Sequence, residues 1–393
     1  MKFLSMKKLL IILHVLLSTI ILSAQDFEDI TFGADTTFEV LTWNIEWFPK
    51  NGQTTIDYVK EIIRALDVDL LAIQEVDDIS SFEQLVDSLD GYAGYLESSW
   101  FAGLAYIYKT DVIQINEIYE IYITEPYWSP FPRSPMVMDL NFKNERIIII
   151  NNHFKCCGDG ILDLENPDDE EYRRLYASNL LKLYIETHFD NIRTIVLGDL
   201  NDILTDDPEN NVFQMFLDEP ENYYFTDYII AEGDDAQWSY PSWPSHLDHI
   251  LITNELYSEF EHDSSEIKTI RIDAYISGGW WEYESNISDH RPVALRLMID
   301  QSVGVSDFKK SRPLFSNYPN PFSSQTTFLF KNLEDNAEIK IYNVKGENVF
   351  SEQIAKEQAS LTWNAEGYPN GIYFARLIFN HIEIAHSKLI LLR

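Results

Sequence analysis

Cysteine is nearly absent: the 393-residue chain has two, Cys156 and Cys157, side by side in "NNHFKCCGDG". Adjacent cysteines lack the Cys-x-x-Cys or His-x-x-x-His spacing of a tetrahedral zinc site, which argues against zinc there. They can pair only with each other or with another molecule, and a vicinal disulfide and two free thiols both stay open. Long apolar runs are missing after the first twenty-odd residues, which excludes stable membrane insertion of the mature catalytic region. Positive charge is scarce as well, with 29 Lys+Arg against 64 Asp+Glu and a net charge of −35. The deficit lies in residues 25–300, with 16 basic against 55 acidic residues, whereas residues 301–393 hold 10 against 9. Such a body repels polyanions at long range and argues against an unaided nucleic-acid binder of the basic-groove type. An anionic substrate would need metal ions and a few well-placed arginines, and its binding would depend heavily on divalent cations and salt.

What is present begins with a leader. "MKFLSMKKLLIILHVLLSTIILSAQ" carries Lys2, Lys7 and Lys8, an apolar run from Leu9 to Ser23 and a small-residue exit at Ser23 and Ala24. This is the pattern of a secretory signal over residues 1–24, the run being short for an uncleaved anchor. No cysteine follows the exit, so lipid anchoring there is excluded. Export puts the cysteine pair in a disulfide-permissive compartment.

From residue 25 to 299, strand-like runs such as "FEVLTWNI", "VDLLAIQEV", "GLAYIYK", "RIIIINNHF", "RTIVLGDLN", "HLDHILIT" and "RPVALRLMI" alternate with amphipathic helical patterns. The helices are read at "TIDYVKEIIRAL" and "DEEYRRLYASNLLKLYIETHF". An α/β domain is expected. Residues 300–316 read as a polar, proline-broken linker. Residues 317–393 hold short strands between Gly, Asn and Pro turns, which predicts a small C-terminal β-sandwich.

Several strands end on polar residues where a buried chain would continue apolar. In order these are Asn44 and Glu46, Glu75, His153, Asp199 and Asn201, Asp248, then Asp289 with His290. Carboxylates and amides are hard oxygen ligands suited to Mg²⁺, with Mn²⁺ or Ca²⁺ as alternatives, and the histidines add acid/base capacity. Taken singly, each has a structural reading as a turn, cap or satisfied core residue.

Together, WN-x-E, QE, N-x-H, GD-x-N, LDH and SDH-x-P resemble the endonuclease/exonuclease/phosphatase superfamily over residues 38–299. The resemblance implies a four-layered α/β sandwich of two packed mixed sheets, with Mg²⁺ as the usual cofactor. It also implies Glu75 as principal metal ligand with Asn44, Glu46 and Asp289 around it. Asp199 would orient or deprotonate the attacking water, Asn201 contact the phosphate, and His290, oriented by Asp248, face the phosphoryl oxygen. His153 falls where the deoxyribonuclease branch places a second histidine. Arg133 in "FPRSPMVMDL" resembles the family's phosphate-binding arginine, and Lys155 in "NNHFK" the lysine of its extracellular nucleases. "CC" departs from the small polar residues expected after that lysine.

The tail, with "NYPNPFSSQTTFLF", "IKIYNVKGENVF", "YPNGIYFARL" and "SKLILLR", resembles the C-terminal sorting domain of the type IX secretion system. That implies the secretion machinery as a partner and a secreted or cell-surface protein. The expected function is a secreted, divalent-metal-dependent phosphodiesterase, foremost an endonuclease hydrolysing DNA or RNA. A sphingomyelinase-like or inositol-phosphate hydrolase is the alternative, kept open by the adjacent tryptophans of "SGGWWEYESNISDH". These rings could stack on bases, enter a lipid interface or simply pack. A non-catalytic surface binding module is the third reading, weakened because no motif position is lost.

Overall fold

The computed structural model describes residues 27, 30–98, 100–299, 314–331, 336–343, 345, 347–356, 358–379 and 382–393. The expected signal segment and most of the expected linker lie outside them. The chain divides into two compact units, residues 1–301 and 302–393.

The first unit holds two six-stranded sheets. One runs, in spatial order, β11 (Glu266–Thr269), β12 (Val293–Leu297), β1 (Phe38–Phe48), β2 (Leu70–Val76), β4 (Gly103–Lys109) and β3 (Tyr92–Leu96). The other runs β5 (Ile113–Glu120), β6 (Met136–Phe142), β7 (Glu145–His153), β8 (Arg193–Asp199), β10 (Asp248–Thr253) and β9 (Tyr223–Phe225). Both are mixed, since β1 pairs parallel with β2 and β7 with β8 while the remaining ladders are antiparallel.

Side-chain alternation decides the layering. In β1, Phe38 and Val40 enter the core between the sheets, whereas Leu41, Trp43 and Ile45 face the core beneath the helices. The four isoleucines of β7 divide likewise: Ile147 and Ile149 lie between the sheets, Ile148 and Ile150 under a helix. A strand buried on both faces reads as an unbroken apolar run, which explains "RIIIINN". Helices α1 (Gln53–Leu66) and α2 (Ile79–Asp87) cover the first sheet through Val59, Ile62, Ile63, Phe82 and Leu85. Helix α3 (Glu170–His188) covers the second through Ala177, Leu181 and Ile185. The result is helix, sheet, sheet, helix: the four-layered sandwich. Helix α4 (Gly279–Asn286) precedes the loop to β12.

The second unit pairs a three-stranded sheet, β13 (Leu314–Tyr318), β14 (Gln325–Lys331) and β17 (Ser360–Asn364), with a four-stranded one. The latter is ordered β16 (Asn348–Ile354), β15 (Ala337–Asn343), β18 (Gly371–Phe379) and β19 (Ile382–Leu391). Phe328 and Trp363 from one sheet meet Ile339, Leu377 and Leu389 from the other in a shared core, a small β-sandwich.

Candidate active site

Register alone gathers three of the polar positions at strand termini. His153 of β7 pairs with Asp199 of β8, and Asp199 pairs with Asp248 of β10, so the three stand abreast on neighbouring strands. Gly198 makes this row possible: its φ is +147°, and a Cβ there would lie 1.9 Å from the backbone oxygen of Asn152. The glycine of the GD-x-N motif is thus a close-approach residue.

The first sheet supplies the facing groups. Between Asn44 and Phe48, β1 runs four residues while β2 runs two, from Gln74 to Val76. The irregularity puts Glu46, Trp47 and Glu75 at positive φ (37°, 49° and 66°), a local kink of the kind that re-aims side chains beside active sites. Glu75 Oε1 accepts from Asn44 Nδ2 at 3.1 Å and its Oε2 from the Trp47 backbone N–H at 3.1 Å. The same Asn44 amide donates to Asp199 Oδ2 at 3.0 Å and so links the two sheets. Behind it, Gln74 donates to Asn151 Oδ1 at 2.7 Å, and Asn151 Nδ2 donates to the carbonyls of Ile73 and Ala105. These buried amides tie the sheets together where the site opens.

His290 arrives on the loop after α4. Its Nδ1 lies 2.7 Å from Asp248 Oδ2 and its Nε2 3.8 Å from Asp199 Oδ2. Its carbonyl accepts from Tyr283 Oη at 2.5 Å and Trp43 Nε1 at 3.3 Å, and its N–H donates to Ser288 Oγ, which donates to the Asn44 carbonyl. The neighbouring Asp289 N–H donates to Glu46 Oε2 at 2.8 Å, and Lys50 binds the same carboxylate. His153 Nε2 lies 3.4 Å from Asp199 Oδ2 and 3.8 Å from Glu75 Oε1. Asn201, at φ 53°, donates its N–H to Asp199 Oδ1.

Burial sets the electrostatics. It drives the Asp199 carboxyl up to about 7, with His290 opposing and Asp248 adding to the rise. Burial would lower His290, but Asp248 and Asp199 outweigh it and hold the imidazolium well above the ordinary histidine value. His153 is depressed well below that value by burial, then by Arg133 and His290, so it is neutral. A neutral imidazole, an imidazolium and a carboxyl poised near neutrality together can accept and donate protons around one point.

Of the eleven residues singled out in the sequence, nine meet here through these contacts. Arg133 is the tenth: Nε donates to the Phe101 carbonyl at 2.9 Å, its guanidinium lies 4.8 Å over the Phe101 ring, and it feels Glu75 and Asp199 electrostatically. Lys155 is not brought in by any contact among the described residues. Its Nζ donates to the Cys156 carbonyl and sits 3.6 Å from Glu170. The cysteines are free thiols with sulfurs 2.9 Å apart, in a loop whose Lys155 and Cys157 carbonyls accept from buried Arg174. Sequence reading missed Tyr240, whose ring packs 4.8 Å from that of His290, and the supports Trp43, Asn151, Tyr283 and Ser288. Trp43, Asn151 and Ser288 lie inside or beside the quoted motifs, so the signal was there without a role attached.

The site residues span 44–290, and the sequence profile described as "Endonuclease/Exonuclease/phosphatase family" matches residues 41–290. The chain belongs to the endonuclease/exonuclease/phosphatase family. As a member it is an enzyme of the phosphoric-ester hydrolase class. A second profile, "Secretion system C-terminal sorting domain", matches residues 316–391 and places the protein on the type IX route to the cell surface or extracellular space. No helix among the described residues is long and apolar enough to cross a membrane. No curated protein matches the chain.

Solved structures similar to this family member include TDP2 from D. rerio complexed with single strand DNA product. It is 12% identical, with a TM-score of 0.49, covering 67% of this chain and 99% of that one. The human Nocturnin catalytic domain with bound sulfate anion is 16% identical (TM-score 0.48; 68% and 96% covered). An endonuclease/exonuclease/phosphatase from Bacteroides vulgatus is also 16% identical (TM-score 0.48; 67% and 100% covered).

Enzymes of the family are divalent-metal dependent, and the residues gathered here fit such an ion. Glu46 accepts from the Asp289 N–H, Glu75 and Asp199 share the Asn44 amide, Lys50 and Arg133 are nearby cations, and burial followed by Asp289 outweighs Lys50 in raising Glu46. Asp248 Oδ1 and His153 Nδ1 are buried without a hydrogen-bond partner among the described residues. The carboxylate oxygens of Glu46, Glu75 and Asp289 suit a hard cation. A second buried cluster, Asp227, His246 and His249, is an ion-paired support instead: His249 Nδ1 lies 2.6 Å from Asp227 and Nε2 2.8 Å from the Asp202 carbonyl.

Proposed function

We propose that the protein is a secreted, Mg²⁺-dependent endonuclease that hydrolyses phosphodiester bonds in extracellular DNA or RNA. The observation that carries this reading is the row His153, Asp199, Asp248 with His290 bonded to Asp248, facing Glu75 across the Asn44 bridge. Glu75, Glu46 and Asp289 would hold the ion, with Asn44 seated between Glu75 and Asp199. When bound, it would supply charge neutralisation at the phosphoryl oxygens and a more acidic water. Asp199 orients and accepts the proton of the attacking water. The His290 imidazolium, fixed by Asp248, donates a hydrogen bond to the oxygen on which charge develops, and neutral His153 adds a second contact. Arg133 offers a guanidinium to the phosphate that an acidic body otherwise repels, and Asn201 an amide. Lys155 reaches it only by leaving Glu170. We place the catalytic domain at residues 25–299 and the sorting domain at 317–393.

The test is plasmid nicking by the full chain with Mg²⁺, with excess chelator, and with His290→Ala. Metal-dependent conversion of supercoiled to open-circular DNA, reduced at least about 100-fold in the variant, is expected. Intact DNA and RNA beside hydrolysed sphingomyelin or inositol phosphate would replace the nuclease reading with the lipid or inositol one.

A further inference from the structure

Five large rings stand in water around the site: Trp47 is 51% exposed, Trp100 83%, Phe101 56%, Trp243 79% and Trp281 75%. Exposed apolar residues scattered singly need no explanation. These are mounted on the segments that build the site. Trp47 follows Glu46, and its backbone N–H holds Glu75. Phe101 holds Arg133 through its carbonyl and its ring, with Trp100 beside it. Tyr240 packs on His290 and opens a turn closed by paired hydrogen bonds to Ser245, which carries Trp243. Trp280 Nε1 donates to Ser242 at 3.1 Å and so ties that turn to the helix bearing Trp281. The two adjacent tryptophans therefore part ways: one anchors the rim and the other projects from it.

The cations near these rings are few. Lys50 is committed to Glu46 and the Glu284 carbonyl, Lys155 to Glu170, and Arg133 to the Phe101 and Ala102 carbonyls. A duplex presents phosphates outward and hides its base faces, so it would meet acidic repulsion here with nothing for the rings to stack on. A single strand offers a π-face per base, so stacking can supply affinity where positive charge is scarce. Resting on the nuclease reading above, we infer that the aromatic rim is a stacking platform and that nucleic acid with unpaired bases is the preferred substrate, cut faster than duplex. Anionic membrane is disfavoured by the same acidic charge, and a zwitterionic lipid surface is an outcome of the test.

The experiment uses the full chain with Mg²⁺ and one labelled oligonucleotide, single-stranded or annealed to its complement. The comparison is with the combined variant Trp100→Ala, Trp243→Ala, Trp281→Ala. The single strand is expected to be cut with about tenfold higher kcat/KM or more. The variant is expected to raise KM for it about tenfold or more while kcat and the duplex rate hold. Trp243→Phe should retain the low KM and Trp243→Leu should lose it, which separates stacking from bulk. Equal cutting of both forms, or an unchanged KM in the variant, overturns the inference and leaves the nuclease reading standing. If neither form is cut, both fall. Sphingomyelin vesicles that bind the wild type and release the variant would then assign the rim to a lipid surface.

Discussion

Glu39 illustrates how a single side chain ties this fold to pH. It is fully buried on β1, accepts from Thr37 Oγ1, and lies 3.8 Å from Arg296. Burial, opposed by the Thr37 bond and reinforced by Asp69, pushes its carboxyl up to about 7. The folded protein therefore keeps this proton where the unfolded chain has lost it. The stabilisation is fully present below the unfolded value near 4.5 and is lost as pH rises through about 7. Between pH 5 and 8 the group should cost about 2 to 3 kcal/mol. Glu39→Gln is expected to flatten that slope and to be the more stable protein at pH 8, read as urea midpoints at both pH values. An unchanged slope would show that Glu39 is already solvated. Asp199 is raised for the same reason, and on the proposed mechanism that proton affinity serves the attacking water.

At the scale of elements, the site exists because strands end together and stay close. Gly198→Ala would drive a methyl group into the Asn152 carbonyl and part β7 from β8 beside His153 and Asp199. A loss of about 3 kcal/mol in stability is expected, with at least a tenfold fall in kcat at temperatures where the variant stays folded. Wild-type melting and turnover in this variant would refute the close-approach account. The strand ends were legible in advance because Asn44, Glu75, His153, Asp199 and Asp248 interrupt apolar runs. Strands β3, β5, β9 and β11 were not. They lie at or near sheet edges, are short or half-exposed, and lack a clean alternation, as "IQINEIYE" of β5 shows. Tyr240 was invisible for another reason: nothing in "WSYPSWPSH" marks a ring that packs on a histidine fifty residues away.

For the whole molecule, the charge asymmetry and the secretion tail point to separable duties. The acidic unit carries every site residue, and the second unit is a sandwich with its own core. A chain lacking residues 302–393 is expected to keep kcat/KM within about twofold and the same inhibition by chelator. In a host with the type IX system its activity should remain in the periplasm while the full chain reaches the medium or cell surface. Lost catalysis on truncation would mean that the tail completes the site.

The identity and order of the reactive groups, the acidic background and the route of export are written in residue types and short motifs, so they can be read without a structure. Tertiary structure decided how they meet. Register set His153, Asp199 and Asp248 abreast, the Asn44 and Asn151 amides joined two sheets, and two equally buried histidines took opposite charge states because Asp248 and Asp199 hold the proton on His290 while Arg133 and His290 oppose one on His153. It also turned Lys155 toward Glu170 and set Trp280 in the rim while leaving Trp281 in water. Each depends on distances between residues far apart in the chain, which no local pattern encodes.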